Sequence, residues 1–255
     1  MKATNGGENR FSAMARVYDK MAPKLVPQYN FLHDELLGLL SFSLPSNLCL
    51  VDLGAGSGRL IERILAADLV KKCYWVDSSQ DFLAVAKSRL ETYGDRVEYI
   101  LSPLEDDWAS HIPENVDAIV SMSAIHHLES NEKSFLYARC FDKLISGGWF
   151  FNIDEAKTLY GDSYLSSLRY WVRYVDQKKE ALAEQELPDY TEWNVHFTKW
   201  KERNLDCADR PKSKGDDIHE SFMTQLGWLD KAGFVNVDVF VKFHLWCMMG
   251  GRKPQ

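Results

Sequence analysis

The chain has 255 residues, 45% of them hydrophobic, with a formal net charge of −7 and a pI near 5.5. That length fits one α/β domain with an insertion, or two small domains, and leaves ample material for a single core. The acidic balance argues against broad contact with nucleic acid, which asks for basic stripes; a local patch at Arg169, Arg173, Lys178 and Lys179 is still compatible with it.

Five scattered cysteines (Cys49, Cys73, Cys140, Cys207, Cys247) include no pair with metal-ligand spacing. Reduced thiols in a cytosol are the plain reading, and the sequence singles out no metal ligands. No signal-type stretch opens the sequence, and no run approaches the ~20 apolar residues of a membrane span, so a cytoplasmic protein is expected.

Residues 1–9 are polar and expected to be loose. From Arg10 to Lys24, Phe11, Met14, Val17, Tyr18 and Met21 recur at helical spacing, and Pro23 and Pro27 are expected to end that helix. Tyr29 to Leu40 reads as a second helix. Both helices can serve as a lid or pack on a sheet edge; Tyr18 and Tyr29 either touch a ligand or are ordinary half-buried tyrosines.

An apolar run (Leu48, Leu50, Val51, Leu53) then leads into Gly54, Gly56 and Gly58, followed by the amphipathic run Leu60, Ile61, Ile64, Leu65. This is strand, tight glycine turn, helix, the place where open α/β sheets hold nucleotide-like ligands. A dinucleotide fingerprint would put glycine at position 59, where Arg59 stands. Asp52 would repel a diphosphate and attract a ligand bearing an ammonium and a sulfonium.

Lys72 to Val76 reads as the second strand, ending at Asp77. An acid about 20 residues past such a loop accepts hydrogen bonds from a ribose diol; Asp77, Ser78 or Ser79 can also cap the helix that Gln80 to Leu90 suggests. Arg96 to Leu101 is a third strand, after which Trp108 either covers a ligand ring or packs. Val116 to Met122 is the fourth. His126 and His127 follow it and are general-base candidates; the plainer reading puts one on backbone and one in water. Glu132 to Leu144 is a helix that Ser146-Gly147-Gly148 is expected to stop. Trp149 to Ile153 is the fifth strand, ending in Asp154-Glu155.

Residues 154–234 exceed a simple crossover and read as an insertion. Tyr164 to Glu186 suggests one helix ending at Pro188, and Tyr190 to Asn204 another, with Trp193, Phe197 and Trp200 on one face. Residues 210–217 read as a polar, mobile loop. The aromatics of the insertion, Tyr160, Trp171, Trp193 and Phe197 among them, line a substrate pocket or simply form core. Thr224 to Lys231 is a helix, and strands over 235–241 and 243–249 close the chain.

The run Asp52-x-Gly54-x-Gly56-x-Gly58, the acid at Asp77, the Gly147-Gly148 pair before strand five and the C-terminal hairpin together resemble the class I S-adenosylmethionine (AdoMet) methyltransferases of small-molecule type, over nearly the whole chain. The resemblance implies a Rossmann-like, seven-stranded, mostly parallel sheet with an antiparallel last strand, helices on both faces and a helical insertion between strands five and six. It implies one domain: lid helices over 10–44, a cofactor core over 45–153, a substrate cap over 154–220, and a closing helix and hairpin over 221–255. It implies AdoMet as cofactor and S-adenosylhomocysteine as product, with Tyr18, Asp52, Gly54, Gly56, Gly58, Asp77, Ser78, Leu104 and Met122 as cofactor residues. Position 102 or 103 carries Ser or Pro where many members have an aspartate for the adenine. Tyr29, Tyr160, Trp171, Trp193 and Phe197 are the substrate candidates, and His126, His127 and His196 the base candidates. The expected reaction is methyl transfer to N or O, less readily C, of a small aromatic or amine-bearing molecule. An RNA-modifying enzyme on this fold, with Arg210, Lys212 and Lys214 on phosphates, and a non-catalytic AdoMet-binding or partner module both stay open, as does the oligomeric state. Arg59 disfavours a nicotinamide oxidoreductase.

Overall fold

The computed structural model describes residues 15–255. The segment expected to be loose over 1–9, and residues 10–14 of the first expected helix, lie outside them. Seven strands form one sheet: β1 (Leu48–Leu53), β2 (Val70–Asp77), β3 (Val97–Leu101), β4 (Val116–Met122), β5 (Leu144–Glu155), β6 (Val235–Phe243) and β7 (Trp246–Arg252). Their order is β3-β2-β1-β4-β5-β7-β6. β1 to β5 pair in parallel, and β7 runs antiparallel to both β5 and β6. The chain winds outward from β1 to β3, then returns to lay β4 on the other side of β1. A crevice therefore opens beyond the carboxyl ends of β1 and β4, where such sheets bind ligands.

Eight α-helices cover the sheet: α1 (Ala15–Leu25), α2 (Tyr29–Ser43), α3 (Arg59–Ala66), α4 (Gln80–Leu90), α5 (Ser130–Lys143), α6 (Gly161–Glu180), α7 (Leu187–Lys201) and α8 (Phe222–Ala232). Leu48, Leu50 and Trp75 face a core filled by α1 to α4, α6 and α7. Val51, Leu53 and Tyr74 face a second core filled by α5 and α8. β1 is buried along its whole length, so its residues need not alternate in polarity. No helix among the described residues is long and apolar enough to cross a membrane.

Several expected boundaries move. Pro23 does not end α1 but sits in its last turn. Proline has no N–H, so the carbonyl of Asp19, four residues back, loses its helical donor. Arg59 supplies the replacement: its Nη2 donates to Asp19 O at 2.9 Å and to Asp19 Oδ1 at 3.0 Å. Pro188 opens α7 instead of closing α6, a first-turn position where no N–H is needed. α5 ends at Lys143, and Leu144 is already extended, so Gly147 does not cap it. Gly147 lies inside β5 at φ +82°, where the register with β4 shifts between Val116 and Ala118. β7 runs to Arg252 and takes in Gly250 and Gly251. A Cβ on Gly250 would stand 2.2 Å from Phe150 O, so the strand closes on β5 only because glycine is there.

His33 of α2 is 1% exposed, and neither ring nitrogen has a hydrogen-bond partner. Burial, with Arg63 and Arg59 nearby, pushes its pKa down from 6.5 to about 3. The neutral ring is compatible with the fold above pH 6.5, and its contribution is lost as pH falls from there toward 3. We expect this one group to cost the wild type about 2 kcal/mol by pH 5. Urea unfolding of His33→Leu at pH 7.5 and 5.0 should show that much less acid sensitivity than the wild type.

Candidate active site

The glycine turn after β1 is built so that its amides point into the protein. Gly54 N and Ala55 N donate to Val76 O at 2.8 and 3.1 Å, and Gly58 N to Ala55 O at 2.9 Å. Gly56 N donates to Asp77 Oδ2 at 2.9 Å, and the Trp75 indole donates to Gly56 O at 2.8 Å. A loop arranged this way is not a phosphate cradle. Gly54, Gly56 and Gly58 all have positive φ. A Cβ on Gly54 would stand 2.2 Å from the Ala124 Cβ, so the turn lies directly against the segment that follows β4.

Asp77 ends β2. Besides Gly56, its Oδ1 accepts from Ser79 N at 2.8 Å, while the Ser79 hydroxyl caps α4 by accepting from Phe82 N. Burial raises the Asp77 pKa against the pull of the Ser79, Gly56 and Ser78 amides. Asp52, on β1, is 2% exposed, and its Oδ2 has no partner. Burial, then the neighbouring Asp77 carboxylate, lifts its pKa well above the ordinary value. A buried carboxylate with an orphaned oxygen beside a bare-backbone turn fits a ligand that carries positive charge and no phosphate. AdoMet is such a ligand, with its ammonium and sulfonium.

α1 closes over this turn. Asp19 takes Arg59 on one carboxylate oxygen and Arg89 on the other, the latter at 2.6 Å, and Arg89 also reaches Ser57 O and Glu62. Tyr18 stands with its ring edge-on to Phe82 at 6.1 Å. Burial and the nearby Tyr29, Glu155 and Asp154 raise its pKa. Ser123, just past β4, adopts φ +53°, an uncommon conformation for a side-chain-bearing residue and one that clusters at functional sites. Leu104 is 9% exposed and lies on the Gly54 side of the turn; Met122 is partly buried at the end of β4.

Beyond the ends of β4 and β5 lies a buried histidine–carboxylate cluster. A single helical turn, Ile125–His127, presents two adjacent imidazoles with ring centres 3.9 Å apart. Asp154, at the end of β5, holds His126 twice: Oδ1 meets Nδ1 at 2.5 Å, and Oδ2 accepts from the His126 amide at 2.8 Å. Burial opposes a charge on His126, but Asp154, Glu155 and Asp217 outweigh it and raise its pKa to about 9. Asp217 Oδ1 lies 3.8 Å from His126 Nε2 and 3.6 Å from His127 Nδ1. Its Oδ2 accepts from Arg203 Nη2 at 2.9 Å and Asn204 Nδ2 at 3.2 Å. Desolvation works against the Asp217 charge, yet the three histidines and Arg203 hold its pKa far below the carboxylate range. Next to it, His219 joins Glu155 Oε2 at 2.8 Å and the Tyr164 hydroxyl at 2.6 Å.

The loop carrying Asp217 is pinned, not loose, at its second half. Ile218 N donates to His126 O at 2.8 Å, and Lys133 Nζ, itself 1% exposed, donates to Leu128 O and to Ile218 O at 2.7 Å. Burial lowers the Lys133 pKa to about 8. His196 stands half-buried on α7, outside the group formed by His126, His127 and Asp217. Tyr29 is buried at the start of α2 against His33. Trp171, Trp193 and Phe197 are buried, with Trp193 stacked on Phe197 at 4.8 Å and Phe197 on Trp200 at 5.4 Å. The Trp171 indole donates to Leu25 O at 2.8 Å. Tyr160 is 75% exposed, and Trp108 is fully buried in the core under α5.

Residues 50–148 match the methyltransferase domain family. A carboxy-S-adenosyl-L-methionine synthase of Campylobacter jejuni is 27% identical over 234 residues, covering 91% of this chain and 88% of its own. Among solved structures, human N-acetylserotonin methyltransferase, in complex with SAM, shares the fold at TM-score 0.60 and 15% identity, over 98% of this chain and 60% of that one. The chain of a DhpI–SAM–HEP complex does so at TM-score 0.61 and 15% identity, over 99% of this chain and 100% of that one. The chain carries a methyltransferase domain over residues 50–148, within a fold shared with AdoMet-dependent methyltransferases. AdoMet is the cofactor of this methyltransferase, and the turn's geometry accommodates it.

Asp154 and Glu155 were visible in the sequence only as an acidic strand end. Asp217, His219, Tyr164 and Lys133 gave no local signal, because their partners lie far off in sequence, His126 and His127 before Asp217 and Ile218 after Lys133. Lys133→Met should leave the Leu128 and Ile218 carbonyls unpaired and cost about 2–3 kcal/mol of stability by chemical denaturation, with faster proteolysis at residues 208–216. Gly54→Ala should cost about 2 kcal/mol or more in the same measurement, since the turn cannot keep both its φ and its contact with Ala124.

Proposed function

We infer that this methyltransferase acts on a nitrogen or oxygen atom of a small aromatic or amine-bearing molecule by in-line displacement. AdoMet supplies a carbon activated by its sulfonium, and S-adenosylhomocysteine leaves. The protein's work is to align the acceptor and exclude water. Asp52 balances the cofactor's positive charge, the Gly54 carbonyl takes its ammonium, and Asp77 with Ser78 takes the ribose; Tyr18, Leu104 and Met122 border it. His127, 23% exposed, is the group placed to receive the acceptor's proton, and His126 on Asp154 orients that turn. Tyr29 and the aromatics of the insertion shape the pocket, with His196 as the remaining base candidate.

The observation that carries this reading is the sign of the cluster beyond β4 and β5. Asp154, Glu155 and Asp217 outnumber the two cations among them, Arg203 and a His126 whose raised pKa keeps it charged. Such surroundings favour an amine or a hydroxyl donor over an anionic substrate. They also weigh against the second reading, which the Campylobacter relative's name suggests, conversion of AdoMet to a carboxylated form. An RNA substrate is disfavoured as well. Lys212 is spent on Arg203 O and Asn204 Oδ1, and Lys214 on Glu105 and Glu132.

Calorimetric titration of AdoMet into the wild type should give micromolar-range binding, weakened at least tenfold in Asp77→Ala. Equal affinity in the two proteins would remove Asp77 from the ribose site. Mass spectrometry after incubation with AdoMet and a panel of amines and phenols should show S-adenosylhomocysteine with a methylated acceptor. A carboxylated AdoMet as the main product would replace this reading with the second one.

A further inference from the structure

One carboxylate oxygen and two imidazole nitrogens converge at the centre of the histidine–carboxylate cluster. Asp217 Oδ1 faces two imidazole nitrogens at 3.8 and 3.6 Å, both beyond hydrogen-bond reach. Yet one ligand atom from each of His126, His127 and Asp217 lies within 4.8 Å of the others. Two ligands about 2.1 Å from a tetrahedral ion stand about 3.4 Å apart, close to the two spacings from Asp217 to the histidines.

The supporting contacts have the same logic. A metal-bound histidine commonly gives its other ring nitrogen to a carboxylate, which fixes the ring. Asp154 does this to His126 Nδ1 at 2.5 Å, so Nε2 turns toward Asp217. Arg203 and Asn204 occupy Asp217 Oδ2 and leave Oδ1 for the centre of the cluster. The Ile218 amide on His126 O and Lys133 on Ile218 O lock the Asp217 loop to the histidine turn. Side-chain exposures of 5% for both His126 and Asp217 exclude bulk solvent from two of the three groups.

We propose that His126, His127 and Asp217 bind one divalent transition-metal ion. Two imidazoles and one carboxylate suit Zn²⁺, Co²⁺ or Fe²⁺ and not the oxygen-seeking Mg²⁺ or Ca²⁺. Three protein ligands leave at least one coordination position for an acceptor heteroatom or water. The site goes beyond the methyl-transfer reading and stands without it; with the metal bound, His127 Nδ1 is a ligand and the metal takes over its role toward the acceptor.

The test uses the full chain, dialysed against chelator and titrated with Co²⁺ alone. We expect saturable uptake of one equivalent, visible absorption bands of low-coordinate Co²⁺, and a rise in Tm with added metal. His127→Ala and Asp217→Asn should each weaken uptake about 100-fold while the near-ultraviolet circular dichroism is kept. If Asp217→Asn does not fold, His127→Ala, at the more exposed position, decides alone. No saturable uptake by folded wild type, or uptake unchanged in His127→Ala, overturns the proposal. AdoMet is titrated into the same samples: a protein that binds AdoMet but no Co²⁺ loses the metal site and keeps its cofactor site.

Discussion

Burying a carboxylate at a strand end is costly unless something compensates it, and three strands of this sheet carry that constraint. Asp77 on β2, Asp52 on β1 and Asp154 on β5 all stand at or near the carboxyl edge. Each is compensated differently. Asp77 takes backbone amides, and so fixes the glycine turn. Asp154 takes an imidazole, and so fixes the turn after β4. Asp52 keeps an oxygen without a protein partner. The first two compensations fix the turns after β1 and β4, and the third leaves a buried acceptor between them.

The N-terminal helix and the insertion are tied to that edge as one unit. Pro23 frees the Asp19 carbonyl, Arg59 takes it, and Arg89 joins the same carboxylate to the turn through Ser57 O. On its other side α1 meets α7 through the Lys20–Asp189 pair, the residue before α7 through Lys24–Glu186, and α6 through the Trp171 indole on Leu25 O. The surface pairs are worth little each. The buried stack of Trp193, Phe197 and Trp200, which shares one core with α1, supplies most of the cohesion.

The sheet was legible because the parallel strands announce themselves as apolar runs, with a glycine or acid at the ends of β1, β2 and β5. Gly54, Gly56, Gly58 and Asp77 could be placed from spacing alone. Pro23 and Pro188 misled because proline is tolerated in some helical positions as readily as it breaks others, and which applies depends on neighbours such as Arg59. Gly250 and Gly251 read as a terminus, since the need for glycine arises only from the close approach of Phe150. His126 and His127 were visible as a pair, but Asp217 and His219 were hidden in a polar stretch. Their role comes from Lys133 and the Ile218 amide drawing that stretch under the sheet's edge, a contact with no local signature.

The inward-turned amides of the glycine loop bear on how the enzyme works in a crowded metabolite pool. ATP and NAD share their adenosine half with AdoMet and are far more abundant in cells than most cofactors. A loop with its N–H groups spent on Val76 O, Ala55 O and Asp77 offers their phosphates no donors, and the Asp52 carboxylate repels them. A nucleotide's phosphates therefore find no donor among these four amides, whose hydrogen bonds stay within the protein.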